Sequence, residues 1–87
     1  MTYIVEIVPA AQRQIKKLTP PIQAQIIQKL EELRLDPRSP DVKKMMGEDN
    51  TYRVRMGAYR IVYEIYDGLL LVIVVQIGHR REVYRKK

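Results

Sequence analysis

The sequence predicts an α+β fold, a two-helix hairpin packed on one face of a small, mainly antiparallel twisted sheet. Three observations carry this. Two stretches between residues 9 and 35 space their apolar residues as helices do. Three stretches from Thr51 onward alternate, or run continuously apolar, as strands do. Their order, one strand, two helices and then a run of strands, is that of a two-layer fold with its helices on one side.

Residues 2–8 are rich in β-branched types and read as the first strand. Pro9 is suited to a first helical turn and opens a short helix carrying Ala11, Ile15 and Leu18. Thr19 followed by Pro20 reads as an N-cap and first-turn proline. The second helix places Ile22, Ile26, Leu30 and Leu33 on one stripe. Asp36 precedes Pro37, which disfavours further helix. Pro37 to Asn50 reads as a loop. In Thr51–Met56, Tyr52, Val54 and Met56 share one face, and Arg53 and Arg55 the other. A tight turn over residues 56–59 leads to Tyr59–Tyr66, with Tyr59, Ile61, Tyr63 and Ile65 on one face. Asp67-Gly68 predicts a two-residue hairpin turn with positive φ at both positions. Leu69–Ile77 is apolar on both faces and is expected to be a central strand that Gly78 ends. Glu82–Arg85 is expected to add a short strand or to lie over the sheet.

The chain of 87 residues makes a single domain, residues 1–87, with one modest core. It contains no cysteine, which excludes disulfides and thiolate metal sites. One histidine leaves only scattered carboxylates as further ligands, so neither a metal nor another cofactor is expected. The N-terminus lacks the basic and small-residue features of a signal peptide. The longest apolar run, Leu69 to Val75, is far short of the about 20 residues that span a bilayer. A cytoplasmic protein without a membrane partner is expected.

Charge is distributed unevenly. Residues 1–50 carry 8 basic and 7 acidic side chains, whereas residues 51–87 carry 8 basic and 3 acidic, and six of those eight are arginine. The arginine fork matches phosphate geometry, so nucleic acid is a natural partner, although a basic face can also serve solubility alone. Arg53 and Arg55 project from the same strand face, and Arg60, one strand over, is expected to join them on the face opposite the helices. That face is expected to be concave. Three clustered arginines would clamp a phosphate.

The segment Gly78-His79-Arg80-Arg81-Glu82-Val83-Tyr84 adds groups of another kind. His79 is the only side chain here that titrates near neutrality when unperturbed, and the cations Arg80 and Arg81 favour its neutral, basic form. Tyr84 can stack on an unpaired base or serve as a half-buried tyrosine. Metal-free RNA cleavage needs a base for the 2′-hydroxyl proton, donors for the charge building on the phosphate, and an acid for the leaving 5′-oxygen. Arginine supplies the second of these but neither proton role. His79 and Tyr84 are the available proton carriers.

Two stretches, residues 52–65 and 78–84, together with Pro9-Ala10-Ala11 and Asp36-Pro37, resemble the RelE-type toxins of the RelE/ParE superfamily. The resemblance runs from about Val5 to Tyr84. It implies a ribosome-dependent endoribonuclease of a toxin–antitoxin pair, cutting the A-site codon of messenger RNA by 2′-hydroxyl attack without a metal. It implies an acidic antitoxin that folds onto the toxin. By position, Arg60 matches the arginine that stabilises the phosphate, Arg80 a second catalytic arginine, and Tyr84 the tyrosine that orders the codon base. His79 stands where some relatives carry a histidine that transfers protons. Arg53, Arg55 and Arg81 fall among the phosphate-binding positions. Arg55 replaces a lysine proposed as the base in relatives, which moves that role to His79 or Tyr84. Only three residues follow Tyr84, so the C-terminal helix of some relatives is not expected. Two other functions fit the same fold: a ParE-like inhibitor of DNA gyrase, and a non-catalytic nucleic-acid-binding or repressor module.

Overall fold

A computed structural model describes residues 2–79. Strand β1 (Ile4–Ile7) leads into helix α1 (Pro9–Lys16) and helix α2 (Pro20–Leu35), followed by strands β2 (Val42–Lys44), β3 (Thr51–Met56), β4 (Tyr59–Tyr66) and β5 (Leu71–His79). They form one five-stranded sheet in the order β1-β5-β4-β3-β2, antiparallel except for the pairing of β1 with β5. The α+β architecture and the helix hairpin are therefore as expected. The anticipated tail strand at Glu82–Arg85 lies outside the described residues, as do Arg80, Arg81 and Tyr84.

The core lies between the helices and one sheet face. Ala11 of α1 and Ile26, Leu30 and Leu33 of α2 meet Val54, Ile61, Tyr63, Ile65, Val72, Val74 and Ile77. The apolar spacing of both helices and the odd-numbered face of β4 thus serve the purpose their periodicity implied. Tyr63 is fully buried, and its hydroxyl donates to the Pro37 carbonyl at 2.6 Å. Burial pushes this phenol well above its ordinary pKa, so it stays a donor. Thr19 occupies the N-cap of α2, but its hydroxyl makes no capping bond. Pro20 and Pro21 carry no N–H, so two of the donors a cap would satisfy do not exist.

Three local expectations are corrected. The segment Pro37 to Asn50 is not all loop, because Val42–Lys44 forms the edge strand β2. Three residues, two of them lysines, leave no alternation to read, and lysine is a residue natural sheets place on edges. The Asp67-Gly68 hairpin is instead a single 3₁₀ turn over Asp67–Leu69, and the positive φ falls on Leu70, at 48°. Asp67 is recruited elsewhere: its carboxylate accepts both terminal nitrogens of Arg38 at 2.9 Å and the Tyr3 hydroxyl at 2.8 Å. Gly78 does not end the last strand, since it lies within β5 opposite Arg60.

The Arg38–Asp67–Tyr3 cluster ties the segment after α2 to the β4–β5 turn. Hydrogen bonds from Arg38 and Tyr3 hold the Asp67 carboxyl below its ordinary value of 3.8. Hydrogen bonds from Ser39 and Lys29 do the same for Asp41. A carboxyl depressed in the folded state stabilises it above the unfolded pKa, and that contribution is lost as pH falls through the folded value. The urea midpoint is therefore expected to hold steady from neutrality down to about pH 5 and to fall below about pH 4. Asp67→Asn should make the acid decline shallower. An unchanged decline in that variant would remove Asp67 as a source of the acid sensitivity.

Candidate nucleic-acid interface

The face of the sheet away from the helices carries the cations. Arg55 is registered directly against Arg60, and Arg53 against Lys43. Cross-strand partners on one face bring their Cβ atoms within about 5.5 Å, and like charges so placed repel. Four cations are nonetheless gathered from three adjacent strands. Arg53, Arg55, Arg60 and Lys43, with Asp41, line a cavity of about 370 Å³. Arg60 sits deepest, 6% exposed, with one terminal nitrogen donating to the Tyr59 carbonyl at 3.4 Å. Arg55 is exposed, and Arg53 is half-buried. Gly57, at φ +62°, makes the turn that delivers β4 back beside β3 and so aligns Arg60 with Arg55. Gly78 leaves the position across from Arg60 without a side chain.

Arginine and lysine offer donors only. Four such side chains together are suited to an anion with several oxygens and to charge that grows on them. Among the described residues no group of three His, Asp or Glu side chains is placed to share a metal ion.

His79 is not brought to this cavity. In β5 the register shifts at Val62/Tyr63, where Val62 pairs with Gln76 and Tyr63 with Val74. Val75 is the extra residue of a β-bulge, and beyond it the alternation of β5 is inverted. Val72 and Val74 face the helices, and so does Ile77, three residues on. His79 follows Ile77 onto that side, paired with Tyr59, whose ring it meets edge-on at 5.9 Å between centroids. There it borders a second cavity of about 510 Å³ together with Gln14, Lys17 and Leu18. Arg80, Arg81 and Tyr84 lie outside the described residues. Arg53, Arg55 and Arg60 are thus assembled as the strand pattern indicated, and His79 is separated from them.

Two lining residues escaped the sequence reading, Lys43 and Asp41. Both fall in or beside the short strand taken for loop. The only sequence signal was the cluster Asp41-Val42-Lys43-Lys44, too short to show a period.

A family model described as "ParE toxin of type II toxin-antitoxin system, parDE" matches residues 5–84. The chain is 30% identical to toxin RelG of Mycobacterium tuberculosis, over 99% of this chain and all of the relative. It is also 30% identical to the mRNA interferase toxin RelE of Escherichia coli, over 97% of this chain and 92% of that one. A variant of the E. coli toxin RelE in the free state superimposes with a TM-score of 0.83 at 28% identity, covering 97% and 92% of the two chains. The RelBE2 toxin–antitoxin complex of M. tuberculosis gives 0.82 at 29% identity, covering 92% and 93%. No described helix is long and apolar enough to cross a membrane. With the family profile, the relatives and the sheet architecture in agreement over nearly the whole chain, this protein belongs to the RelE-type toxins of the RelE/ParE superfamily of type II toxin–antitoxin systems.

Proposed function

We propose that this toxin is a ribosome-dependent endoribonuclease that cuts messenger RNA within the A-site codon and is neutralised by a cognate antitoxin. The observation that carries the reading is the cavity where Arg53, Arg55, Arg60 and Lys43 converge from three strands. The relatives named mRNA interferases and the neighbours solved as toxin–antitoxin complexes support it. The cytoplasm is where such a target is met.

In this mechanism the ribose 2′-oxygen attacks the adjacent phosphorus, the bond to the 5′-oxygen of the next nucleotide breaks, and a cyclic phosphate and a free 5′-hydroxyl result. Arg60, buried and held by its strand, stabilises the charge that builds on the phosphate oxygens. Arg53, Arg55 and Lys43 hold the flanking backbone. Arg80 completes the clamp, Arg81 adds a phosphate contact, and Tyr84 orders the base. Arginine stays protonated and has no free lone pair to take a proton, so Arg55 does not serve as base. His79 faces the other side of the sheet, which leaves Tyr84 as the proton carrier best suited to the site.

The test is primer extension on messenger RNA bound to ribosomes, with and without the purified protein. Cuts inside the A-site codon that require ribosomes are expected. The match to a family model described for ParE favours a second reading, a gyrase inhibitor sharing the fold. An intact message with a folded protein, joined to a loss of supercoiling in a gyrase assay, would select it.

A further inference from the structure

Among the described residues, the arginine cavity contains a single side chain of the opposite character. Asp41 lines it beside Lys43, Arg53, Arg55 and Arg60. Its carboxylate is fixed from two sides: Oδ1 accepts the Ser39 hydroxyl at 2.6 Å, and Oδ2 accepts Lys29 Nζ at 3.0 Å. Lys29 reaches it from α2 and is also held by Glu32 at 3.0 Å, so the anchoring lysine is largely buried and engaged. The Asp41 side chain itself is 51% exposed. A carboxylate has about four acceptor sites, and two are taken. Among the described residues that line the cavity, the remainder are the only side-chain acceptors, because Lys43, Arg53, Arg55 and Arg60 can only donate.

This matters for what can lie in the cavity. A phosphate placed against Asp41 is repelled, so the carboxylate keeps the backbone on the side of the arginines. What it attracts is a donor. Base edges carry several donors, the exocyclic amino groups of adenine, guanine and cytosine and the ring N–H of guanine and uracil, and a carboxylate accepts the N4 amino group of cytosine. Uracil presents the O4 carbonyl at that position, acceptor against acceptor. Selection then comes from attraction of one base and rejection of the other.

We propose that Asp41 is a specificity-determining residue that accepts the amino group of a cytosine whose phosphate is held by the arginine cluster. The inference rests on the RNA reading of the cavity, and binding measurements separate the two without requiring cleavage. The probes are fluorescently labelled hexacytidylate, hexauridylate and hexadeoxycytidylate, titrated with the whole protein at low salt, where phosphate contacts are strongest. Wild type should prefer hexacytidylate over hexauridylate by about tenfold. Asp41→Ala should lose the preference. Asp41→Asn should lose it too, because an amide can turn its oxygen to an amino group or its nitrogen to a carbonyl. The amide also preserves the shape of the site if the alanine variant folds poorly.

Equal binding of the two RNA hexamers by wild type, or a preference that survives in both variants, would overturn the proposal. A preference for the ribose over the deoxyribose hexamer that disappears in Asp41→Ala, with no discrimination between cytosine and uracil, would overturn it in favour of a 2′-hydroxyl contact. Failure of wild type to bind any hexamer would overturn this inference, which needs the cavity itself to hold RNA, and would leave ribosome-dependent cleavage to be decided by primer extension.

Discussion

Arg60→Ala is expected to slow messenger RNA cleavage by about two to three orders of magnitude, the cost of losing one preorganised donor at a developing oxyanion. Arg60 is selected over its neighbours by its setting. It is the most buried cation of the cavity, at 6% exposure, and belongs to β4, which is paired on both sides. A guanidinium held in this way needs little reorganisation when charge develops. Arg55 is exposed and can swing, so its loss should weaken binding more than it slows the chemical step. Arg60→Lys should also cleave poorly, since a point charge does not reproduce a two-pronged donor. The measurement is the rate of A-site cleavage by primer extension, with antitoxin binding as the control for folding. Near-normal cleavage by Arg60→Lys would argue against a bidentate clamp, and near-normal cleavage by Arg60→Ala would end the catalytic assignment.

The second large effect falls on stability. Ile61→Ala should destabilise the fold by about 2–5 kcal/mol, the transfer and cavity cost of truncating a buried isoleucine. Ile61 is fully buried in β4, registered between Val54 of β3 and Ile77 of β5, both also buried. Its neighbours are strands with few alternative positions, so the space it vacates cannot easily collapse. Against a total of about 5–15 kcal/mol for a domain, this is a large fraction. Equilibrium urea unfolding should show a strongly lowered midpoint. Ile4→Ala, where the side chain is 63% exposed, should change stability by no more than about 0.5 kcal/mol. Similar midpoints for the two variants would show that the core is not centred on β4.

Most of the architecture was legible from the chain because two periods dominate it. Ile22, Ile26, Leu30 and Leu33 mark one helix stripe, and Ile26, Leu30 and Leu33 are indeed buried. Val54, Ile61, Tyr63 and Ile65 mark one sheet face, and all four lie in the core. The arginine face follows from the same alternation. Arg53 and Arg55 must oppose Val54, and Arg60 must oppose Ile61. The short strand β2 was not legible, because three residues cannot display a period of two against a background of charges. The true turn after β4 was hidden for another reason. Asp67 is drawn into a hydrogen-bonded cluster with Arg38 and Tyr3, partners far away in sequence.

The position of His79 shows where the sequence's own authority stops. Its identity, its place among basic residues and its distance from the arginine strands were all readable. Regular alternation along β5 would set it with Leu71 and Ile73, on the face that carries Arg60. A single unpaired residue, Val75, inverts that count, so Ile77 enters the core, Gly78 comes to lie across from Arg60, and His79 turns to Tyr59 and α1. Alternation is a local property, and the residues themselves determined the helices, the main strands and the arginine face. The bulge is decided by which side chains fill the space between β4, β5 and the helices. Only the packed structure fixes that choice, and with it which polar groups share a site.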